Sequence, residues 1–209
     1  MEKPKIVTIE EWRRAREELL AAEKAATRAL DAVAAQRRRL PMVRFSAEYE
    51  FVTPNGIKSL LDLFEGRDQL VVYQFMDLGA DSYCPGCTRF TDNVPVNALP
   101  DLAATGVTWV TVSDMPLDQI EAYKARRGWT LPFVSSRGTS FAADCDAGGG
   151  FMLSVFLRDG DHVYRTYSTT QRGVDRLVFA NSVLDLTPFG RQEDWEDSPP
   201  GWPQRPTYG

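Results

Sequence analysis

The sequence predicts an α/β protein with a central mixed sheet flanked by helices and extended by a long N-terminal helix. Three observations predict it. A short apolar run, residues 70–76, reads as a buried central strand, and Cys84-Pro85-Gly86-Cys87 then opens a helix. Strand and helix patterns alternate through residue 127, which is typical of a βαβ unit with parallel strands. The last third carries a β-hairpin, which adds antiparallel strands to the sheet.

Composition excludes several classes of function. The 209 residues are 43% hydrophobic and 25% charged, as in an ordinary globular protein, and the formal net charge is −5. Because phosphate binding needs a clustered basic surface, we expect no nucleic-acid partner. No apolar run approaches the length of a membrane span, and no apolar signal core follows Met1–Lys5, so we expect no membrane contact. Three cysteines fit a reducing compartment, and we expect a cytoplasmic protein.

Residues from about Ile9 to Leu40 give the clearest helix. Thr8 and Glu11 form a capping-box pattern, and Pro41 ends the helix. Apolar residues recur at steps of three and four along one face, which can dock on the domain or on a second subunit. They are Trp12, Ala15, Leu19, Ala22, Ala26, Leu30 and Val33. We therefore predict an N-terminal helical extension over residues 1–40 that can form a homodimer.

The next segments predict a single domain over residues 41–190, followed by an irregular tail over residues 191–209. Residues 44–52 alternate like one half-buried strand, residues 53–56 form a turn, and residues 59–64 form a short helix. A second buried strand covers 107–112, and a helix covers 116–127 and ends at Gly128. The hairpin pairs 152–157 with 162–167, and a final helix covers about 173–185.

The Cys84-Pro85-Gly86-Cys87 segment predicts a reactive dithiol. A cysteine at the first turn of a helix faces unpaired N–H groups and the positive end of the dipole, which stabilise the thiolate. Cys84 is expected at the exposed end and Cys87 one turn further in, where the two sulfurs can close a disulfide. Pro85 suits the first helical position, where no N–H is needed. We predict Cys84 and Cys87 as the catalytic residues.

Other interpretations of these cysteines remain open. A zinc site needs four ligands, and Cys84, Cys87, Cys145 and His162 are the only cysteines and histidine in the chain. All four would have to converge, so we expect no metal and no cofactor. The acids on either side of Cys145 should raise its pKa, which favours an inert thiol. His162, on a hairpin strand, is more typical of a partly exposed sheet residue than of a base or ligand.

The order of elements resembles that of thioredoxins, and the motifs resemble a thioredoxin-like family catalogued as domain of unknown function 899. The resemblance covers about residues 9–208. Its motifs are Glu11-Trp12, residues 19–24, Leu70-Val71-Val72-Tyr73, the dithiol segment, Val112-Ser113, Pro116-Leu117, residues 123–126, Gly128-Trp129, Ser135-Ser136, residues 155–160 and residues 166–169. The resemblance implies a thioredoxin-like fold. The dithiol at a helix N-terminus predicts a thiol–disulfide oxidoreductase that acts on protein or small-molecule thiols and disulfides. A thiol-dependent peroxidase of peroxiredoxin type is an alternative, as is a non-catalytic binding or copper-handling module using His162.

Two departures from related patterns bear on these alternatives. Thioredoxins carry a cis-proline before the hairpin, whereas Gly149-Gly150-Phe151-Met152 stands here and Pro132 lies one strand too early. Peroxiredoxins carry a threonine three residues before the peroxidatic cysteine. Asp81 stands there instead, and its carboxylate would disfavour a thiolate. Disulfide exchange is therefore favoured over peroxide reduction, with Tyr83 and Trp129 as candidates to line a substrate groove.

Overall fold

The computed structural model describes residues 3–207, which fall into two compact units. One comprises the chain up to residue 41 together with residues 192–205, and the other comprises residues 42–191 with the segment that follows residue 205. The predicted boundaries at residues 40 and 190 remain a prediction. Residues 1–2 of the predicted extension and 208–209 of the predicted tail lie outside the described residues.

The first unit contains helix α1, Ile9–Arg37. The Thr8 side chain accepts the Glu11 N–H at 3.3 Å, and the Glu11 carboxylate accepts the Thr8 N–H at 2.9 Å, so the predicted capping box is present. No residue of α1 is buried. In the C-terminal segment, Glu193 and Arg205 form a short parallel bridge. Within residues 3–207, no helix is both long and apolar enough to cross a bilayer.

The second unit is built on one eight-stranded sheet in the order β1-β8-β7-β4-β5-β6-β2-β3. The three strands β4, β5 and β6 are parallel, and the remaining pairs are antiparallel, which confirms the predicted mixed sheet. The strands are β1 (Val43–Phe45), β2 (Glu50–Thr53), β3 (Gly56–Ser59), β4 (Gln69–Phe75), β5 (Val107–Ser113), β6 (Phe133–Ser135), β7 (Met152–Asp159) and β8 (His162–Thr169).

Helices lie in the connections between these strands and after the last one. They are α2 (Leu60–Leu63), α3 (Pro85–Asp92), α4 (Leu99–Ala104), α5 (Leu117–Arg127), α6 (Phe141–Asp144) and α7 (Phe179–Leu184), with 3₁₀ turns at Val96–Ala98 and Gln171–Leu177. The order of β4, α3, β5, α5, β6 and the hairpin β7–β8 is the thioredoxin-like order, so the predicted fold class is confirmed.

The sheet is strongly curled. Only residues 46–49 separate β1 from β2, and such a linker spans at most about 18 Å. In a flat sheet, the six strand spacings between those strands would cover about 29 Å. The β1 end and the β2–β3 end of the sheet therefore approach each other. The Phe45 ring lies 5.6 Å from that of Tyr49 and 6.1 Å from that of Phe141, measured between centroids.

Two predicted elements are wrong. Residues 44–52 do not form one strand, because Arg44 pairs with β8 on one side of the sheet while Phe51 belongs to the hairpin β2–β3 on the other. The last helix is broken, because Val178 is extended with φ −91° and ψ 104° and separates the 3₁₀ turn from α7. The sequence analysis also missed β3, α4 and α6.

Apolar side chains form a separate cluster on each face of the sheet. Strand β4 supplies both clusters through its alternating side chains. Leu70 and Val72 pack in the cluster that contains Phe51 and Phe141. Tyr73 and Phe75 pack on the opposite face in the cluster that contains Cys84, Cys87, Phe90, Tyr123 and Trp129. The dithiol is thus part of a hydrophobic core and is anchored on the central strand.

Candidate active site

The dithiol lies at the first turn of α3, directly after the loop that leaves β4. Cys84 is the N-cap residue and Pro85 the first helical residue, as predicted. The loop is fixed by hydrogen bonds: the Asp77 carboxylate accepts the Gly79 N–H at 2.8 Å, and the Gln119 side-chain amide donates to the Gly79 carbonyl at 3.0 Å. The position of Cys84 is therefore set by both β4 and α5.

The two thiols differ in exposure and share a hydrogen-bond network. Cys84 is 8% exposed and Cys87 is fully buried at 0%. The backbone N–H of Cys87 donates to the Cys84 sulfur at 3.2 Å. Both cysteines are free thiols in the structure. Of the two cysteines, only Cys84 therefore has any surface open to solvent.

Hydrogen bonding separates the pKa values of the two thiols. A hydrogen bond from the Cys87 side chain lowers the pKa of Cys84 to about 6, with further help from the backbone N–H groups of Cys87 and Gly86 against the opposing effect of burial. The pKa of Cys87 is raised, first because its side chain donates to Cys84 and second because it is buried. The pair thus combines one thiolate with one protonated donor near neutral pH.

Aromatic side chains and one cation surround the start of α3. Tyr83, the residue before Cys84, stacks on Tyr123 with ring centroids 3.6 Å apart. The Arg126 guanidinium lies 4.7 Å from both ring centroids. Thr88 shares a hydrogen bond with the Tyr123 hydroxyl at 2.7 Å and donates to the Cys84 carbonyl at 2.8 Å. The start of α3 is therefore held against α5 at two points. One is Tyr83, just before the helix, and the other is Thr88, in its second turn.

Of the two predicted groove residues, Tyr83 is half-buried beside Cys84, whereas Trp129 is buried in the core. The Trp129 indole N–H donates to the Asp92 carboxylate at 2.9 Å, and its ring lies 5.0 Å from Tyr123 between centroids. Trp129 thus packs against the Tyr123 ring within the core and does not line an open groove. Tyr123 and Arg126 lie in the motif at residues 123–126, but the sequence analysis placed neither of them, nor Thr88, at the site.

Cys145 does not join the dithiol. It belongs to the hydrophobic cluster on the opposite face of the sheet and is 2% exposed. Its pKa is raised to about 12, as expected, but the main cause is burial rather than the neighbouring acids. Asp144 instead accepts hydrogen bonds from the Tyr49 and Ser140 hydroxyls at 2.8 Å and 2.6 Å. Cys145 is thus a buried packing residue.

His162 lies at the far end of the sheet from Cys84. It opens β8 opposite Asp159, is exposed, and accepts a hydrogen bond at Nδ1 from Arg44 at 3.2 Å. Near this hairpin turn Leu157 pairs with Gln69, the first residue of β4, whereas Cys84 follows the last residue, about 20 Å away along the strand. A copper-handling site that combines this histidine with the dithiol is therefore incompatible with the fold. Within residues 3–207, no three His, Cys, Asp or Glu side chains converge as metal ligands.

The two departures noted in the sequence have structural counterparts. Asp81 is exposed and adopts a left-handed conformation with φ 58° in the loop before Tyr83. Gly149 and Gly150 precede β7, whose first residue, Met152, pairs with Gln74 near the dithiol end of β4. The backbone opposite the dithiol is therefore supplied by a glycine pair and Phe151, whose ring lies 6.1 Å from that of Tyr73.

Comparison with known proteins identifies the family. The family model described as "Bacterial protein of unknown function (DUF899)" matches residues 1–208. The chain belongs to the DUF899 family. This agrees with the resemblance carried by the sequence motifs. No curated protein matches the chain.

Several solved structures of thioredoxin-like proteins are similar to this DUF899 protein at low identity. Peroxidoxin BcpB from Mycobacterium tuberculosis is 16% identical, with 66% of this chain and 92% of that chain covered and a TM-score of 0.46. A PrxQ mutant from Xylella fastidiosa is 18% identical, with 69% and 94% covered and a TM-score of 0.42. A secreted Mycobacterium tuberculosis disulfide oxidoreductase homologous to Escherichia coli DsbE is 13% identical, with 64% and 96% covered and a TM-score of 0.41.

Proposed function

We propose that this protein is a thiol–disulfide oxidoreductase in which Cys84 is the attacking thiolate and Cys87 the resolving thiol. The observation that carries the proposal is the asymmetry of the pair at the start of α3. The outer sulfur accepts the Cys87 N–H at 3.2 Å and has its pKa lowered to about 6 by the Cys87 side chain, while the inner sulfur is buried and protonated. An attacking thiol with a pKa near ambient pH combines a high thiolate fraction with useful nucleophilicity.

The reaction proceeds in two balanced exchanges. The Cys84 thiolate attacks one sulfur of a substrate disulfide, forms a mixed disulfide and releases the other sulfur as a thiolate, which takes a proton from solvent. Attack removes the negative charge from Cys84, so the cause that raises the pKa of Cys87 weakens and Cys87 can deprotonate. Its sulfur then attacks Cys84 and releases the second substrate thiol. The substrate gains two electrons, the protein keeps a Cys84–Cys87 disulfide, and an external dithiol must reduce it.

Trapping of the mixed disulfide tests this assignment. Cys87→Ser and Cys84→Ser should be incubated with oxidised glutathione at pH 7 and analysed by intact mass and peptide mapping. Cys87→Ser should retain one glutathione on Cys84, because no thiol remains to resolve it, and Cys84→Ser should retain none. Cys145→Ser is the matched control and should behave as the unmodified chain, since Cys145 lies on the other face of the sheet. An adduct on Cys84→Ser alone would reverse the roles, and no adduct on either would refute the proposal.

The peroxidase alternative is separated by a peroxide arm. With hydrogen peroxide, the Cys84 thiolate would become a sulfenic acid and release hydroxide, which takes a proton from solvent to become water. The Cys87 thiol would then convert the sulfenic acid to the disulfide with release of a second water. Because Asp81 is three residues before Cys84 and carries no hydroxyl to bind a peroxide, we expect disulfide exchange to be the faster reaction. Stopped-flow loss of the thiolate absorbance in peroxide and in oxidised glutathione gives the two rates. A faster peroxide reaction would assign the site to peroxide reduction.

A further inference from the structure

The apolar face of α1 carries no buried residue, although α1 is by far the longest helix of the chain. Trp12 is 55% exposed, Leu19 is 54% exposed and Val33 is 39% exposed. We propose that this face pairs with the same face of a second copy of the chain, in antiparallel orientation, to form a homodimer. The proposal is independent of the redox chemistry.

The spacing along α1 is that of a coiled-coil seam. Trp12 begins a row in which steps of three and four residues alternate without interruption through Ala15, Leu19, Ala22, Ala26, Ala29 and Val33. An average step of 3.5 residues keeps such a row facing one partner helix over its whole length. Residues 8–33 give an overlap of about 39 Å, or roughly seven turns. The occupant of this face is therefore a helix of comparable length.

Side-chain size favours an antiparallel partner with the same sequence. The large seam residue Trp12 is near one end, and the seam contains four alanines. In the antiparallel register that sets Trp12 opposite Ala29 of the second copy, Leu19 faces Ala22 and Ala15 faces Ala26. Each large side chain then meets a small one, and the Ala15–Ala26 layers let the helices approach closely. A parallel pair would instead set Trp12 against Trp12 and leave several layers with alanine on both sides.

The charges that flank the seam agree with the same register. Arg16 and Glu23 lie on one flank, 2.8 Å apart within the chain, with exposed fractions of 40% and 44%. In the antiparallel register, Arg16 of each copy lies beside Glu23 of the other, which gives two attractive contacts across the interface. In a parallel pair, Glu23 would lie beside Glu18 of the second copy, which is repulsive. A parallel pair would combine this repulsion with an attraction between Arg16 and Glu11 of the second copy, so the charges favour the antiparallel orientation, in which both Arg16–Glu23 contacts are attractive.

Two adjacent alanines provide a matched test with the full-length protein. Ala22 lies in the seam and Ala21 lies on the opposite side of α1. Sedimentation velocity over a range of concentrations should give the mass of two chains for the unmodified protein and for Ala21→Glu. Ala22→Glu should give the mass of one chain, because it places two carboxylates in the seam. Circular dichroism checks that α1 remains folded, since glutamate is a good helix former.

Charge reversal tests the orientation. In the antiparallel pair, Glu23→Arg sets arginine against Arg16 of the second copy and should weaken the dimer at least tenfold, and adding Arg16→Glu should restore it. In a parallel pair, Glu23→Arg alone would strengthen the dimer, because arginine would face Glu18. Monomeric unmodified protein at all concentrations, or equal masses for Ala21→Glu and Ala22→Glu, would overturn the proposal that this face of α1 forms a homodimer. A strengthened Glu23→Arg dimer would overturn the antiparallel register.

Discussion

The pH dependence of Cys84 alkylation gives a quantitative prediction that does not depend on how accessible the sulfur is. With a pKa of about 6, Cys84 is about 9% thiolate at pH 5 and about 91% at pH 7, so its alkylation rate should rise roughly tenfold between these values. A thiol with the ordinary pKa of 9.0 would rise about a hundredfold over the same interval. Burial slows both rates equally, so it cancels in the ratio.

The assay follows iodoacetamide labelling of Cys84 by peptide mapping from pH 4 to pH 9. We expect a plateau above about pH 7, with Cys87 unlabelled because it is buried and its pKa is raised. Cys87→Ala should move the midpoint upward, because the side-chain donor is the largest cause of the low pKa of Cys84, and Cys87→Ser should move it less because a hydroxyl still donates. A hundredfold rise in the unmodified protein, or identical midpoints in both variants, would refute this account of the thiolate.

Three further predictions concern stability, measured as the free energy of unfolding in denaturant. Phe141→Ala should lower the free energy of unfolding by about 3–5 kcal/mol, because the ring is fully buried at the centre of one hydrophobic cluster. Phe179→Ala is the matched control: its side chain is 72% exposed, so the free energy should change by less than about 0.5 kcal/mol. Gly128→Ala should cost about 1–2 kcal/mol, since this residue ends α5 in a left-handed conformation with φ 70°. Tyr123→Phe should cost about 1 kcal/mol, because the hydroxyl loses its 2.7 Å hydrogen bond to Thr88. Equal losses for both phenylalanine variants, or no loss for the other two, would contradict these assignments.

Local patterns predicted the elements that hold the dithiol. The apolar run of β4, the N-cap position of Cys84 and the end of α5 at Gly128 each depend on neighbouring residues, so sequence was sufficient for them. Residues 44–52 were predicted wrongly because polar and apolar residues keep alternating across Ser46–Glu48. Nothing local shows that the chain there crosses from β8 to the other side of a curled sheet. The closing of the curled sheet, rather than the strand propensity of these residues, therefore decides where β1 ends and β2 begins.

The partners of the site required the structure. Thr88 and Tyr123 are 35 residues apart in sequence and meet only because α3 and α5 pack on the same face of the sheet. The main cause of the high pKa of Cys145 could not be found from the sequence either. The sequence shows the neighbouring acids but not how deeply the thiol is buried. For His162, the sequence predicted its place on a hairpin strand. The pairing of β7 with β8 then shows that it lies far from the dithiol.

A redox titration of the Cys84–Cys87 couple tests the central claim most directly. Full-length protein is equilibrated in reduced and oxidised dithiothreitol buffers and quenched with acid. It is then unfolded in denaturant, so that the buried Cys87 can be labelled, alkylated and analysed by mass spectrometry. The account predicts one transition in which both cysteines lose their label together, with a slope of about 30 mV per tenfold change in the ratio of oxidised to reduced protein, as a two-electron couple requires. Labelling of both cysteines at every potential, or a disulfide that includes Cys145, would contradict it.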